Sequence, residues 1–314
     1  MKLLRARPLP AGGTIGIIAP SSRAKGPALR AGAARLRAAG YRVKLLCAPG
    51  LRDGYLAGPD AVRARLFNRA FTDPSVDAVF CERGGYGALR ILDDLDFRAV
   101  ARHPKPFVGF SDITILQWAL WKRCRLVTFY GPMVAFPGPA YNDRHLWRAV
   151  TATAPLGRVP VPPVFKPRFP RPGRATGRIL GGTVSLISKL VGTPWMPELS
   201  GVILFLEDVE ERPYKIDGFL AHLKHAGVLD RVAGVILANF KKCWAPPARS
   251  LTLDRIIRDY FGRAPYPVAV GMPFGHLDPM FTLPQGVRAT LDSRRGLVLE
   301  EAALQGGTHG RRAG

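Results

Sequence analysis

Short apolar segments alternate with helical segments over the first 130 residues of this 314-residue chain. Four apolar segments have the length and composition of buried β-strands: residues 14–19, 41–46, 76–81 and 107–110. Residues 27–39 and 60–71, between the first three, have the apolar spacing of helices. A chain that returns through a helix enters the next strand in the same direction. The alternation therefore predicts a parallel α/β sheet that binds ligands at the carboxyl ends of its strands.

The fourth apolar segment leads into a serine that is followed by a helical pattern. Residues 106–121 read PFVGFSDITILQWALW. A strand, a serine at a tight turn and a helix form a nucleophile elbow, which presents the hydroxyl beside the N–H groups that open the helix. Gly109 lies two residues before Ser111, as in that motif, but Ile113 stands where a second glycine is usual. A serine that merely caps the helix explains this stretch about equally well.

A glycine-rich loop follows the third apolar segment, where residues 82–87 read ERGGYG. The loop lacks the spacings of the nucleotide-binding glycine motifs. Beside a nucleophilic serine on a neighbouring strand, its N–H groups are better suited to an oxyanion hole. The alternative is a tight turn that requires a positive φ.

Candidate partners for the serine follow two later apolar segments. His276 comes after residues 268–272 and is the histidine best placed to act as a general base, although an ordinary polar turn residue is the simpler alternative. Glu207 and Asp208 come directly after residues 202–206, and either carboxylate could orient an imidazole.

The remaining histidines are weaker candidates. His222 and His225 are three residues apart on a predicted helix and could share a metal ion, but no carboxylate or cysteine lies at helical spacing around them. A solvated helix face is therefore favoured over a metal site. His145 and His309 are predicted to lie at the surface.

The length of the chain favours two domains. Residues 137–176 are rich in proline and arginine, which predicts a linker that is partly polyproline-like. This divides the chain into an N-terminal α/β domain at 1–136, a second domain at 177–302, and a basic tail at 303–314. The N-terminus lacks the apolar region of a secretory signal, and no run of 18 apolar residues occurs. Four widely spaced cysteines argue against a zinc site and favour a reducing compartment, so a cytoplasmic location is expected.

The net charge is +23, from 46 Lys and Arg against 23 Asp and Glu. Such a balance could indicate a polyanion partner. The basic residues are spread along the chain, however, and no zinc-finger or RNA-binding aromatic motif accompanies them. A solvated basic surface is therefore favoured over a nucleic-acid partner.

Six short motifs occur together along nearly the whole chain: RGGYG at 83–87, GFSDIT at 109–114, GTPW at 192–195, LED at 206–208, GH at 275–276 and TLPQG at 282–286. In combination they resemble the LD-carboxypeptidase (muramoyltetrapeptide carboxypeptidase) family of serine peptidases, which also contains the microcin C self-immunity peptidases. The resemblance implies a Rossmann-like N-terminal domain and a smaller, β-rich C-terminal domain of the swivelling β/β/α type.

The resemblance also implies roles for particular residues. Ser111 would be the nucleophile, Glu207 the acid and His276 the base, and the N–H groups of Gly85 and Asp112 would form the oxyanion hole. No metal or cofactor is implied. The implied substrate is a small peptide, the murein tetrapeptide, from which terminal D-alanine is released during cell-wall recycling. The implied assembly is a homodimer.

Two positions depart from the family pattern, Tyr130 where histidine is usual and Thr183 where asparagine is common. Neither is a triad position, so the departures bear on substrate preference. Two alternatives stay open. One is a self-immunity peptidase that cleaves peptidyl-nucleotide antibiotics with the same triad. The other is a non-enzymatic, basic polyanion-binding protein.

Overall fold

A computed structural model describes residues 2–47, 50–244 and 250–306. Within these ranges the helices are α1 Gly26–Ala38, α2 Asp60–Thr72, α3 Phe97–Arg102, α4 Thr114–Cys124, α5 Ala140–Thr151, α6 Val184–Leu190, α7 Pro213–His225, α8 Val228–Arg231 and α9 Leu253–Phe261. The strands are β1 Thr14–Ile18, β2 Arg42–Leu45, β3 Ala78–Cys81, β4 Phe107–Gly109, β5 Thr128–Tyr130, β6 Gly157–Arg158, β7 Arg168–Arg171, β8 Arg174–Thr183, β9 Ile203–Val209, β10 Gly234–Lys241, β11 Val268–Val270, β12 Leu283–Gln285, β13 Arg288–Asp292 and β14 Gly296–Leu299.

The first sheet has the strand order β12-β5-β4-β3-β1-β2. Strands β1 to β5 pair in parallel with their neighbours, as the alternation of strands and helices predicts. Every residue of β1, β3 and β4 is buried, which is why these strands are continuous apolar runs in the sequence. The carboxyl ends of β3 and β4 lie side by side, so the glycine loop and Ser111 meet at one edge of the sheet.

The second sheet has the order β6-β14-β13-β8-β9-β10-β11-β7. Strands β8, β9, β10 and β11 are parallel, and antiparallel strands extend the sheet on both sides. The predicted fold class, a parallel-sheet N-terminal domain with a β-rich C-terminal domain, is confirmed.

Hydrogen bonds from buried side chains connect the two sheets. Strand β12 comes from the C-terminal part of the chain, yet it pairs with β5 in the first sheet. Gln285 of β12 donates to Oε1 of Gln117 on α4 and accepts from the N–H of Gly181 on β8, both at 2.9 Å. The indole of Trp118 donates to the carbonyl of Gly181 at 2.7 Å. These contacts fix the position of the first sheet, which carries the serine, relative to the second sheet.

The structure differs from the prediction of a linker over residues 137–176, because this stretch contains α5, β6 and β7. Helix α5 buries Leu146, Ala149 and Val150, which have helical spacing. The flanking prolines and charged residues obscure this short apolar stripe in the sequence. The limits of the two domains stay predictions, and residues 307–314 of the predicted tail lie outside the described residues, as does His309.

His145, predicted at the surface, is buried on α5. Its ring packs between those of Tyr141 and Phe281, and burial lowers its pKa. In the part of the chain that the structure describes, no helix has both the length and the apolar character needed to cross a membrane.

Candidate active site

Ser111 occupies a strained turn between β4 and α4. Its φ is 63°, in the left-handed region that non-glycine residues seldom adopt, and a short 3₁₀ turn over Ser111–Ile113 leads into the helix. A Cβ on Gly109 would lie 2.8 Å from the side chain of Ile113, so the turn requires glycine at that position. The serine hydroxyl caps neither the turn nor the helix. Its Oγ lies 3.0 Å from Nε2 of His276 instead.

His276 lies in the loop that follows β11 and is held by Glu207. Its Nδ1 lies 2.8 Å from Oε2 of Glu207, and its main-chain N–H donates to the same oxygen at 3.1 Å. Gly275, with a φ of 97°, lets the loop pass so close to the carboxylate that any Cβ there would collide with it. The imidazole therefore has one orientation, with Nε2 toward the serine.

Glu207 lies within β9, rather than after it, and its side chain is fully buried. While Oε2 faces His276, Oε1 accepts hydrogen bonds from the hydroxyls of Tyr130 and Thr183, each at 2.7 Å. Burial by itself would raise the pKa of Glu207. The charge of His276 and the hydrogen bonds from all three neighbours outweigh burial, so the pKa is lowered and the carboxylate stays ionised.

The electrostatics of His276 mirror those of Glu207. Burial would lower the pKa of the imidazole, but the charge and hydrogen bond of Glu207 outweigh burial and raise it. The pair therefore favours an imidazolium next to a carboxylate, which is the charge state that follows proton transfer from a serine.

Asp208, the other carboxylate that the sequence offers, faces away from the histidine because successive side chains of a strand point to opposite sides. Its Oδ2 accepts from the N–H of Ser185 at the start of α6, and its Oδ1 accepts from the N–H of Val209. Burial raises the pKa of Asp208 to about 6. Its contacts suit a structural carboxylate.

The glycine loop packs directly against the serine. A Cβ on Gly84 would lie 2.8 Å from Cβ of Ser111 and 3.1 Å from the nitrogen of Asp112. Ser22 holds the loop, since its N–H donates to the carbonyl of Gly84 and its Oγ accepts from the N–H of Tyr86.

Asp112 joins the serine turn to the segment after the glycine loop, since its buried carboxylate accepts from the N–H of Ala88 at 2.9 Å. Outside the helix and strand ladders of the described residues, neither the N–H of Gly85 nor that of Asp112 donates a hydrogen bond. Two N–H groups beside the serine are thus available to a ligand.

Tyr130 and Thr183 are parts of the site that the sequence analysis missed. It linked them to substrate preference, whereas in the structure both hydroxyls contact Glu207. The hydroxyl of Tyr130 also accepts from the N–H of Ser111 at 3.4 Å. Each residue ends a strand that leads toward the site, β5 or β8, and that position is the signal by which both could have been found.

His222 faces elsewhere, with Nδ1 2.8 Å from Oγ of Ser188. Across residues 2–47, 50–244 and 250–306, no three His, Cys, Asp or Glu side chains group as metal ligands.

A serine, a histidine and a buried carboxylate joined by hydrogen bonds, at the carboxyl edge of a parallel sheet, define a serine hydrolase. Two family models match the chain: the LD-carboxypeptidase N-terminal domain over residues 15–131 and the LD-carboxypeptidase C-terminal domain over residues 176–291. The chain belongs to the LD-carboxypeptidase family, which confirms the resemblance drawn from its motifs.

Known proteins match nearly the whole chain. The probable murein peptide carboxypeptidase of Bacillus subtilis is 34% identical over 306 residues, which cover 94% of each protein. The structure of muramoyltetrapeptide carboxypeptidase from Oxalobacter formigenes superposes with a TM-score of 0.79 at 31% identity, over 91% of this chain and 97% of that one. The microcin C7 self-immunity protein MccF superposes with a TM-score of 0.88 at 25% identity, over 96% of this chain and 100% of that one.

Proposed function

We propose that this protein is a serine LD-carboxypeptidase that hydrolyses the bond between an L-configured centre and the terminal D-alanine of a murein tetrapeptide, as a step in cell-wall recycling. The observation that carries the proposal is the hydrogen-bonded chain from Ser111 through His276 to Glu207 in a member of this family. The names of the relatives from B. subtilis and O. formigenes support a murein peptide as substrate.

The proposed reaction begins when Nε2 of His276 removes the proton of Ser111 and Oγ attacks the scissile carbonyl carbon. The N–H groups of Gly85 and Asp112 stabilise the oxyanion, and Glu207 stabilises the imidazolium. His276 then protonates the nitrogen of D-alanine, the C–N bond breaks, and an acyl-serine remains. Water, deprotonated by the same imidazole, hydrolyses this ester, which releases the tripeptide and restores Ser111.

The test is incubation of the purified protein with muramoyl tetrapeptide, followed by mass detection of the tripeptide and free D-alanine. Ser111→Ala should remain folded and lose roughly 10⁴-fold or more of the turnover rate, because the nucleophile is gone. Wild-type protein that releases no D-alanine would contradict the substrate assignment, and full activity in Ser111→Ala would contradict the mechanism.

A second candidate is cleavage of a peptidyl-nucleotide antibiotic of the microcin C type. The observation in its favour is the superposition on MccF, whose TM-score of 0.88 exceeds the 0.79 of the muramoyltetrapeptide carboxypeptidase. Sequence identity favours the carboxypeptidase, at 31% against 25%. Turnover of murein tetrapeptide and of a peptidyl-sulfamoyl adenylate, measured side by side, separates the two activities.

The proposal extends to a cytoplasmic homodimer. The four cysteines are buried free thiols, which suits a reducing compartment, and the family resemblance supports a dimer. Light scattering and cell fractionation test these two points. The polyanion-binding alternative predicts salt-sensitive DNA binding without hydrolase activity.

A further inference from the structure

A cavity of about 450 Å³ opens beside His276. Its lining includes the apolar side chains of Phe110, Phe136, Leu277 and Met280, together with polar and charged side chains. His276 itself forms part of the wall, and the ring of Phe110 packs edge-on against the imidazole, with ring centres 4.9 Å apart.

The cavity adjoins His276, the base that would protonate the leaving group, whereas Ser111 does not line it. In acyl transfer the base returns its proton to the leaving amine, so that nitrogen must come within hydrogen-bond reach of Nε2 of His276. The rest of the leaving amino acid must then extend past the imidazole. The wall of the cavity includes His276, whereas the oxyanion-hole candidates Gly85 and Asp112 do not line it.

Four charged side chains besides His276 line this cavity, and three of them have partners. Lys242 forms an ion pair with Glu210, with Nζ 2.8 Å from Oε1. Asp278 accepts a hydrogen bond from the side chain of Asn142 at 3.0 Å. Lys241 is exposed at the end of β10 and, among the described residues, forms no ion pair. Its positive charge nevertheless acts on His276, where it opposes the rise in pKa.

The backbone around Lys241 is held in place. The N–H of Glu210 donates to the carbonyl of Lys241 at 2.9 Å, which ties the ends of β9 and β10 together. Glu210 and Lys242 both have a φ of 59°, in the left-handed region, and such conformations persist where the surrounding structure imposes them and cluster at functional sites. Lys241 is therefore carried by a fixed strand end and lines the same cavity as His276.

We infer that this cavity is the subsite for the leaving D-amino acid, that Lys241 binds the carboxylate of that residue, and that the apolar part of the lining takes D-residues with side chains much larger than methyl. The inference rests on the proposed function. A volume of 450 Å³ lies within the range of roughly 300–1,000 Å³ typical of small-molecule pockets, and it far exceeds what alanine requires. Phe110, Phe136, Leu277 and Met280 form an apolar part of the lining, so the side chains that fit best against it are those of D-methionine, D-leucine and D-phenylalanine.

The first experiment compares a murein tetrapeptide that ends in a free carboxylate with the same peptide as its carboxamide. Lys241→Ala should raise KM for the free acid by about tenfold more than it raises KM for the carboxamide, because a hydrogen bond to a charged group is lost only with the acid. Lys166→Ala is the matched control, since Lys166 is also exposed, forms no ion pair within the described residues and does not line the cavity. An equal loss on both peptides, or no loss on the acid, would overturn the assignment of Lys241.

The second experiment replaces the terminal D-alanine with D-phenylalanine. The wild-type protein should release both residues with kcat/KM values within about tenfold of each other, because the cavity already has room for the ring. Release of D-alanine without D-phenylalanine would overturn the size assignment. A wild-type protein that releases neither residue would refute the proposed function itself. If the wild-type protein is active and Lys241→Ala has the same KM for the free acid, only the role of Lys241 as carboxylate anchor would be refuted.

Discussion

The hydroxyl of Tyr130 donates a 2.7 Å hydrogen bond to Oε1 of Glu207, from the opposite side of the carboxylate to His276. Tyr130 ends a strand of the first sheet, and Glu207 lies on a strand of the second. Because the same hydroxyl accepts from the N–H of Ser111, one side chain links the turn at Ser111 to the carboxylate that contacts His276. This link depends on the packing of the two sheets.

Tyr130→Phe should lower kcat/KM by roughly 10- to 100-fold, because a hydrogen bond to a charged buried group contributes about 1.5–3 kcal/mol. Without this donor, the carboxylate of Glu207 presents more of its charge to the imidazole, so the pKa of His276 should rise. Steady-state kinetics across pH would show the acid limb moving to higher pH. Tyr141→Phe is the control, since it removes a hydroxyl bonded to the carbonyl of Pro160 away from the site. A uniform loss at every pH would indicate a purely structural role for Tyr130.

Activity should rise with pH as His276 loses its proton, because only neutral imidazole accepts the proton of Ser111. Glu207 raises the pKa of His276, so the wild-type limb should lie above the ordinary histidine value of about 6.5. In Glu207→Gln the raising charge is gone and burial dominates, so the pKa should fall below about 6.5. An NMR titration of the imidazole measures both values. A pKa that stays in place after the substitution would contradict the assigned pairing.

The two neighbouring carboxylates should respond differently to amide substitution. Glu207→Gln should lower kcat by roughly 10³- to 10⁴-fold. The imidazolium would lose the negative charge that stabilises it, and the neutral imidazole would lose the carboxylate that fixes its tautomer. Asp208→Asn should keep most of the activity, because Asp208 bonds to main-chain N–H groups of Ser185 and Val209. Parallel kinetics on the two purified variants decide between them. A large loss confined to Asp208→Asn would show that Asp208 is the orienting acid.

Gly275→Ala should inactivate the protein and lower its free energy of unfolding by about 1–3 kcal/mol. The residue has a φ of 97°, and an added Cβ would collide with the carboxylate of Glu207, which would displace His276. Gly218→Ala on α7 is the control. Among the described residues, no atom other than those of its own helix backbone and chain neighbours lies within 4 Å of its added Cβ, and alanine should stabilise this helix by roughly 0.5–1 kcal/mol. Denaturant unfolding and the D-alanine release assay give both quantities for each variant. An active Gly275→Ala protein would mean that the loop around His276 can relax.

Local patterns in the sequence were enough to predict the first sheet, the turn at Ser111 and the glycine loop beside it. Buried parallel strands have continuous apolar sequences. The glycine loop and the turn at Ser111 follow neighbouring strands of the sheet, so the fold class alone predicts that they lie close together. Helix α5 was not predicted, because its apolar stripe is short and lies among prolines and charged residues. The prediction for His145 was wrong because one of the two rings that pack against it, that of Phe281, comes from a distant part of the chain.

The long-range half of the site came from packing. Ser111 and His276 are 165 positions apart. The sequence made His276 a candidate because it is a histidine that follows a predicted strand, but it could not show that His276 contacts the serine. Glu207 and Asp208 could not be separated by sequence position; the pleat of β9 turns one toward the histidine and the other away. Tyr130 and Thr183 acquire their role only when β5 and β8 converge on a buried carboxylate whose charge must be met by donors. Periodicity and turn chemistry act over a few residues and can be read along the chain, whereas the partners of a buried charge are decided by how two sheets fit together.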